Sequence, residues 1–87
     1  MKNSELKPVI LRLEAMTEDQ TDPIQVRHFN VDGVEKAKVI YEHEKDIFTL
    51  IDQNTGEELT FDDIDFLAIE LLELLQSRVQ RDKNIDN

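Results

Sequence analysis

Asp62, Asp63 and Asp65 crowd three carboxylates into one short stretch. The first chemistry such a stretch could support is the binding of a hard divalent cation, which wants several oxygens converging at roughly 2.0–2.6 Å. Their position argues for a different role. They stand at the start of a long apolar pattern of helical period, where Thr60 or Asp62 can cap free backbone amides and each carboxylate opposes the positive end of the helix dipole. Arg78, Arg81 and Lys83 beyond the other end complete the same charge gradient. Upstream, Asp52-Gln53-Asn54-Thr55-Gly56 has the outline of a calcium loop. Such a loop needs glycine in its sixth place and a bidentate glutamate in its twelfth. Counting from Asp52, those places hold Glu57 and Asp63, and a strand pattern rather than a helix precedes them.

His28 and His43 are the only imidazoles. An acid–base pair or a shared metal needs them side by side, and the strand register set out below places His28 opposite Ala37, several residues along the sheet from His43. Ser4 and Ser77 are the only serines, each at a helix end with no glycine-rich elbow around it. Gly33 and Gly56 are both absorbed by turns, which leaves no loop to cradle a phosphate. No catalytic, metal-binding or cofactor-binding residue is therefore expected, and the chain reads as a non-enzyme.

Arg27, Lys36 and Lys38 put positive charge on one sheet face with Phe29 and Ile40 between them, as a sheet that reads nucleic acid would. The whole chain argues the other way. Its 20 acidic and 10 basic side chains give a net charge of -10, which repels phosphate backbones and anionic membranes, so neither is expected as a partner. The basic residues fit better as a solvated edge, or as the match for an acidic patch on a partner or a second subunit. The alternative functions are an acidic mimic of nucleic acid, with the helices imitating phosphates toward a basic protein, and a small-molecule-binding regulator. The absence of cysteine excludes disulfides, thiolate nucleophiles and sulfur-ligated metals. No apolar run approaches the about 18 residues of a membrane span, so a cytoplasmic location is expected.

The elements that carry these residues follow from two periods. Leu6, Val9, Ile10, Leu13 and Met16 recur at helical spacing, with Pro8 tolerated in the first turn and Ser4 or Lys7 at the cap; a polar connector ends the helix before Pro23. From Ile24 the period is two. Ile24, Val26 and His28 share a face, Asp32-Gly33 supplies a two-residue turn, and Ala37, Val39 and Tyr41 return, so that Val26 is expected opposite Val39 and Ile24 opposite Tyr41. A turn at Glu44-Lys45 then brings Phe48 opposite Tyr41 and Leu50 opposite Val39. Asn54-Thr55-Gly56 resembles a type I turn with a glycine bulge, returning a short strand from Glu57 to Phe61. The outer face is expected to carry Phe29, Val31, Ile40, Ile47 and Ile51, with Leu59 and Phe61 added by that bulge.

The closing helix has more apolar surface than one sheet face needs. Ile64, Leu67, Ala68, Leu71, Leu72, Leu74, Leu75 and Val79 form an arc of roughly 160°, widened by Ile69. Leu71 and Leu75 lie near its centre and are assigned to the core. Leu67 and Leu74 at one edge and Ile69 at the other are assigned to a partner surface, alongside Phe29, Ile40 and Ile51 on the sheet. In a chain of 87 residues, burying about two thirds of its unfolded surface, the simplest partner is a second copy. The reading is an α+β fold, α-β-β-β(-β)-α, an antiparallel three- to four-stranded meander packed against two helices. Residues 1–81 are expected to form one domain and residues 82–87 a polar, disordered tail. The function is that of a homodimeric protein-interaction module, with contact to another protein as a further possibility.

Several blocks together resemble the YkuJ-like family, small proteins of Gram-positive bacteria with a domain of unknown function. They are Leu11-Arg12-Leu13, Arg27-His28-Phe29-Asn30-Val31-Asp32-Gly33, Val39-Ile40-Tyr41, Phe48-Thr49-Leu50 and, most specifically, Phe61-Asp62-Asp63-Ile64-Asp65 with Ile69-Glu70-Leu71-Leu72-Glu73-Leu74-Leu75-Gln76. The resemblance implies an α+β fold and a bacterial cytoplasm, and brings no activity with it. The tail after Gln76 is longer than the family pattern.

Overall fold

The computed structural model describes residues 6–76. The expected cap at Ser4, the basic residues from Arg78 onward, Ser77, Val79, the boundary at residue 81 and the tail at 82–87 lie outside the described residues. The chain runs α1 (Leu6–Glu18), β1 (Ile24–Val31), β2 (Val34–Glu42), β3 (Ile47–Asp52), β4 (Glu58–Phe61) and α2 (Ile64–Gln76). The strands form one antiparallel sheet in the order β1-β2-β3-β4, so the fourth strand is present and the fold is α+β as expected.

Both helices lie on one face of this sheet. Val9, Leu13 and Met16 of α1, spaced to share one stripe, and Leu67, Ala68 and Leu71 of α2 close over Phe29, Ala37, Val39, Tyr41, Phe48 and Leu50. Leu13, Met16, Leu67 and Leu71 are fully inaccessible. Leu67, expected at a partner surface, is therefore core of the single chain, because α2 lies across all four strands and turns a broader arc toward them than a narrow stripe.

The β2–β3 pairing agrees with the sequence reading: Tyr41 faces Phe48 and Val39 faces Leu50. The β2–β3 turn places Asp46 at φ 56° and closes with its amide donating to the Glu42 carbonyl at 2.8 Å. The Tyr41 hydroxyl donates to Asp46 Oδ1 at 2.7 Å. At the next turn Gly56 has φ 81°, as a glycine bulge requires, and its amide donates to the Asp52 carbonyl at 2.7 Å. That turn sets Leu59 opposite Leu50 and Phe61 opposite Phe48. Residues directly opposite share a face, so Leu59 and Phe61 belong to the helix-covered side, not to the outer face where they were expected.

The first hairpin departs most from expectation. Asp32 and Gly33 both have positive φ, at 53° and 79°, and Val31 faces Val34 across the two-residue turn. Asn30 then faces Glu35, but Phe29 faces Ala37, leaving Lys36 without a partner on β1. This is a β-bulge, and every pair beyond it is displaced by one: Val26 faces Ile40 rather than Val39, Ile24 faces Glu42 rather than Tyr41, and His28 faces Lys38 rather than Ala37. Phe29, assigned to the outer face and a partner surface, is consequently only 2% exposed and sits in the core. The Arg12 guanidinium covers its ring at 4.0 Å from the centroid.

Truncations should read this register directly. Phe29→Ala is expected to cost about 3–5 kcal/mol and Leu71→Ala about 2–5 kcal/mol in urea unfolding, as cavities in a packed core do. A Phe29→Ala cost below about 1 kcal/mol would return Phe29 to the surface.

Tyr41 is the only tyrosine and the chain has no tryptophan, so its ionisation can be followed by absorbance. Its pKa is pushed up to about 12, first by the hydrogen bond to Asp46, then by burial and by the Asp46 charge. The raised value means stability fully present below the ordinary tyrosine pKa of about 10 and lost as pH rises through about 12. The melting temperature is expected to fall across that window, and Asp46→Asn should move the titration midpoint downward. A midpoint near 10 in the folded wild-type chain would contradict this contact.

Candidate interaction surface

The aspartate triplet resolves into helix-start chemistry. Asp63 Oδ1 accepts from the Asp65 amide at 2.8 Å, and the Asp63 carbonyl accepts from the Leu67 amide at 3.1 Å, which makes Asp63 the cap of α2. Thr60, within β4, and Asp62 are not the cap. Asp52, first in the loop with a calcium-like outline, uses Oδ1 to accept from the Asn54 amide at 2.8 Å. Among the described residues no group of three or more histidine, cysteine or acidic side chains is placed to hold a metal.

The two histidines have separate partners. His43 Nε2 lies 2.7 Å from the Asp19 carbonyl, so that nitrogen carries the hydrogen, and its ring meets Tyr41 edge-on with centroids 4.8 Å apart. His28 Nδ1 lies 3.1 Å from Glu35 Oε1. Asp19 gathers the end of the sheet beneath the α1–β1 connector. Its carboxylate accepts from the Thr21 hydroxyl at 2.6 Å and the Thr21 amide at 3.0 Å and pairs with Arg27 at 3.5 Å, and these contacts, Thr21 first, hold it below the usual carboxylate range. Gln25, buried at 5% exposure, donates to the Asp19 and Asp22 carbonyls and accepts from Arg27. These are the polar groups the bulge turned inward, and they are satisfied there.

Among the described residues no helix lies over the opposite face of the sheet. With the observed pairing, its outward residues form rows across the strands: Ile24-Glu42-Ile47, then Val26-Ile40-Thr49-Thr60, then His28-Lys38-Ile51-Glu58. Ile24 and Val26 are 47% and 39% exposed, while Ile40, Ile47 and Ile51 are half-buried by their neighbours. Five aliphatic side chains thus occupy a surface that an antiparallel sheet covered on one side ordinarily fills with polar groups. Beyond them, Glu35 is held below its ordinary range chiefly by the hydrogen bonds from His28 and Gln53, with the Lys38 charge adding least.

Of the residues assigned to a partner surface, the structure brings Ile40 and Ile51 together on adjacent strands of this face. It places Ile69 on the exposed side of α2 at 48% exposure, next to Phe66 at 65%, which the sequence reading did not single out. Leu74 packs against the core and, with Leu50 and Leu59, floors a cleft of about 250 Å³ rimmed by Asp52, Glu57, Glu70 and Glu73. Ile24 and Val26 were missed because they were assigned to the core. The signal available was the competing parity of β1, in which Phe29 outweighs either of them as a core anchor.

The model of a family described as a protein of unknown function, DUF1797, matches residues 9–75. The chain belongs to this DUF1797 family. Its fold is similar to an X-ray structure of the YkuJ protein from Bacillus subtilis, with a TM-score of 0.76 and 32% sequence identity over 83% of this chain and 98% of that one. The family resemblance seen in the sequence therefore holds, and the match to the family model stops before the tail. A search of curated proteins found no significant match. Among the described residues no helix is long and apolar enough to cross a membrane.

If Asp63 is the cap, Asp63→Ala should cost about 1 kcal/mol while Asp62→Ala stays within about 0.5 kcal/mol. Adding calcium, magnesium or manganese should leave the melting temperature fixed. A large shift with one metal, abolished by either substitution, would make the triplet a cation site instead.

Proposed function

We propose that this DUF1797 protein acts as a homodimeric protein-interaction module of the cytoplasm, without enzymatic activity, and that its two chains meet through the open face of the sheet. The observation that carries the reading is the aliphatic band of Ile24, Val26, Ile40, Ile47 and Ile51. A contiguous apolar patch on a small acidic chain is costly in water, and covering it removes that cost. Two such faces stacked about 10 Å apart give a sheet-on-sheet core with each pair of helices outside. The non-enzymatic part is supported by the engagement of the groups that could move protons: His28 with Glu35, His43 with the Asp19 carbonyl and Tyr41 with Asp46.

Light scattering behind size exclusion at micromolar concentration is expected to give twice the 10.2 kDa chain mass. Ile40→Asp, which puts a charge at the middle of the face, should return the chain to monomer mass with its circular dichroism unchanged. A wild-type monomer at this concentration, or an Ile40→Asp variant that remains dimeric, would overturn the proposal.

A further inference from the structure

We infer that the two chains are related by a two-fold axis lying in the interface, crossing the strands at right angles and passing beside Ile40, so that Lys38 of each protomer faces Glu42 of the other. This rests on the sheet-face reading above and specifies the geometry of that contact. Along β2 the outward side chains are, in succession, Lys38, Ile40 and Glu42: positive, apolar, negative. Lys38 is half-buried and closes no hydrogen bond or ion pair among the described residues. Among the described residues the Glu42 carboxylate pairs only with the 70% exposed Lys45, at 4.0 Å. A lysine that closes no ion pair and feels only a weak pull from the Glu35 carboxylate, and a weakly held carboxylate, equally spaced about an isoleucine, are the pattern a self-complementary interface needs.

Two other two-fold arrangements fail on the same residues. An axis along the strands above β2 would set Lys38 on Lys38 and Glu42 on Glu42, like charges in contact. An axis along the strands between β2 and β3 would press Lys38 onto Ile51 and Glu42 onto Ile47, burying four charges against aliphatic groups. The axis beside Ile40 makes two Lys38–Glu42 pairs, stacks Ile40 on its own copy and lays Ile47 on Ile51 twice. Aligned sheets pack at about 30° to each other, so registration is tightest at this centre and relaxes toward β4, where Glu58 of one chain would otherwise approach Asp62 of the other.

The symmetry gives a test that needs no double substitution. K38E alone creates two acidic–acidic contacts, and E42K alone creates two basic–basic contacts. An equimolar mixture of the two variants restores both attractive pairs in a heterodimer. Each variant alone is expected to weaken self-association by at least about tenfold in sedimentation equilibrium, while the mixture should recover to within about threefold of wild type. Lys38 and Glu42 stand four residues apart on one extended strand, so recovery on mixing cannot come from a contact within a chain. If Ile40→Asp abolishes a wild-type dimer but mixing restores nothing, this axis is wrong while the face remains the interface. If Ile40→Asp leaves the dimer intact, the face itself is wrong and the axis falls with it. Circular dichroism of each variant before mixing separates loss of association from loss of fold.

Discussion

Because Lys36 has no partner on β1, the pairing of the first hairpin changes by one residue between its turn and its open end. Side chains alternate with a period of two, so that single unpaired residue exchanges the two faces of β1. Phe29 goes under the helices and Ile24 and Val26 go out. On the covered side one aromatic ring takes the place of two aliphatic chains, while the outer side gains two aliphatic residues beside Ile40, Ile47 and Ile51. The apolar surplus of this chain thus lies on the sheet, and α2 uses most of its own arc in the core.

The polar residues that the bulge turned inward explain how the arrangement is held. Gln25 and Arg27 occupy places on the covered face that Ile24 and Val26 would have filled, and neither is left without partners. They tie β1 to the α1–β1 connector through Asp19, whose carbonyl also accepts from His43 just past the end of β2. The end of the sheet away from Phe29 is therefore closed on β1 by hydrogen bonds, beside the packed rings of Tyr41 and Phe48. A slip of β1 back by one residue would break this cluster and expose Phe29 together, which makes the observed register a cooperative choice.

Much of this was legible in the chain. The spacing of Val9, Leu13 and Met16, the Asp32-Gly33 turn, the pairing of Tyr41 with Phe48 and the glycine turn at Gly56 all rest on local rules, and local rules survive in the structure. The bulge does not rest on one. An unpaired Lys36 is stabilised by what it does for Phe29, Arg12 and Gln25, residues far apart in the sequence, and a two-residue turn read alone extends the uninterrupted ladder. Leu67 was misplaced for a related reason: a helical wheel gives the width of an apolar arc but not how much of it a four-stranded sheet and a second helix cover. The cap is Asp63 rather than the expected Thr60 or Asp62, because the wheel does not mark where the first turn begins.

Ile24, Val26, Ile40, Ile47 and Ile51 lie outside the chain's own core, and in the proposed dimer only a second chain covers them. Methyl relaxation in the presence of a soluble paramagnetic agent, followed over a dilution series, measures both properties at once. The methyl groups of these five residues should be shielded at high concentration and become broadened together on dilution, while those of Leu13, Leu50 and Leu71 stay shielded throughout. Shielding of Ile24 and Val26 at every concentration would contradict the register. Broadening of all five at every concentration would contradict the dimer.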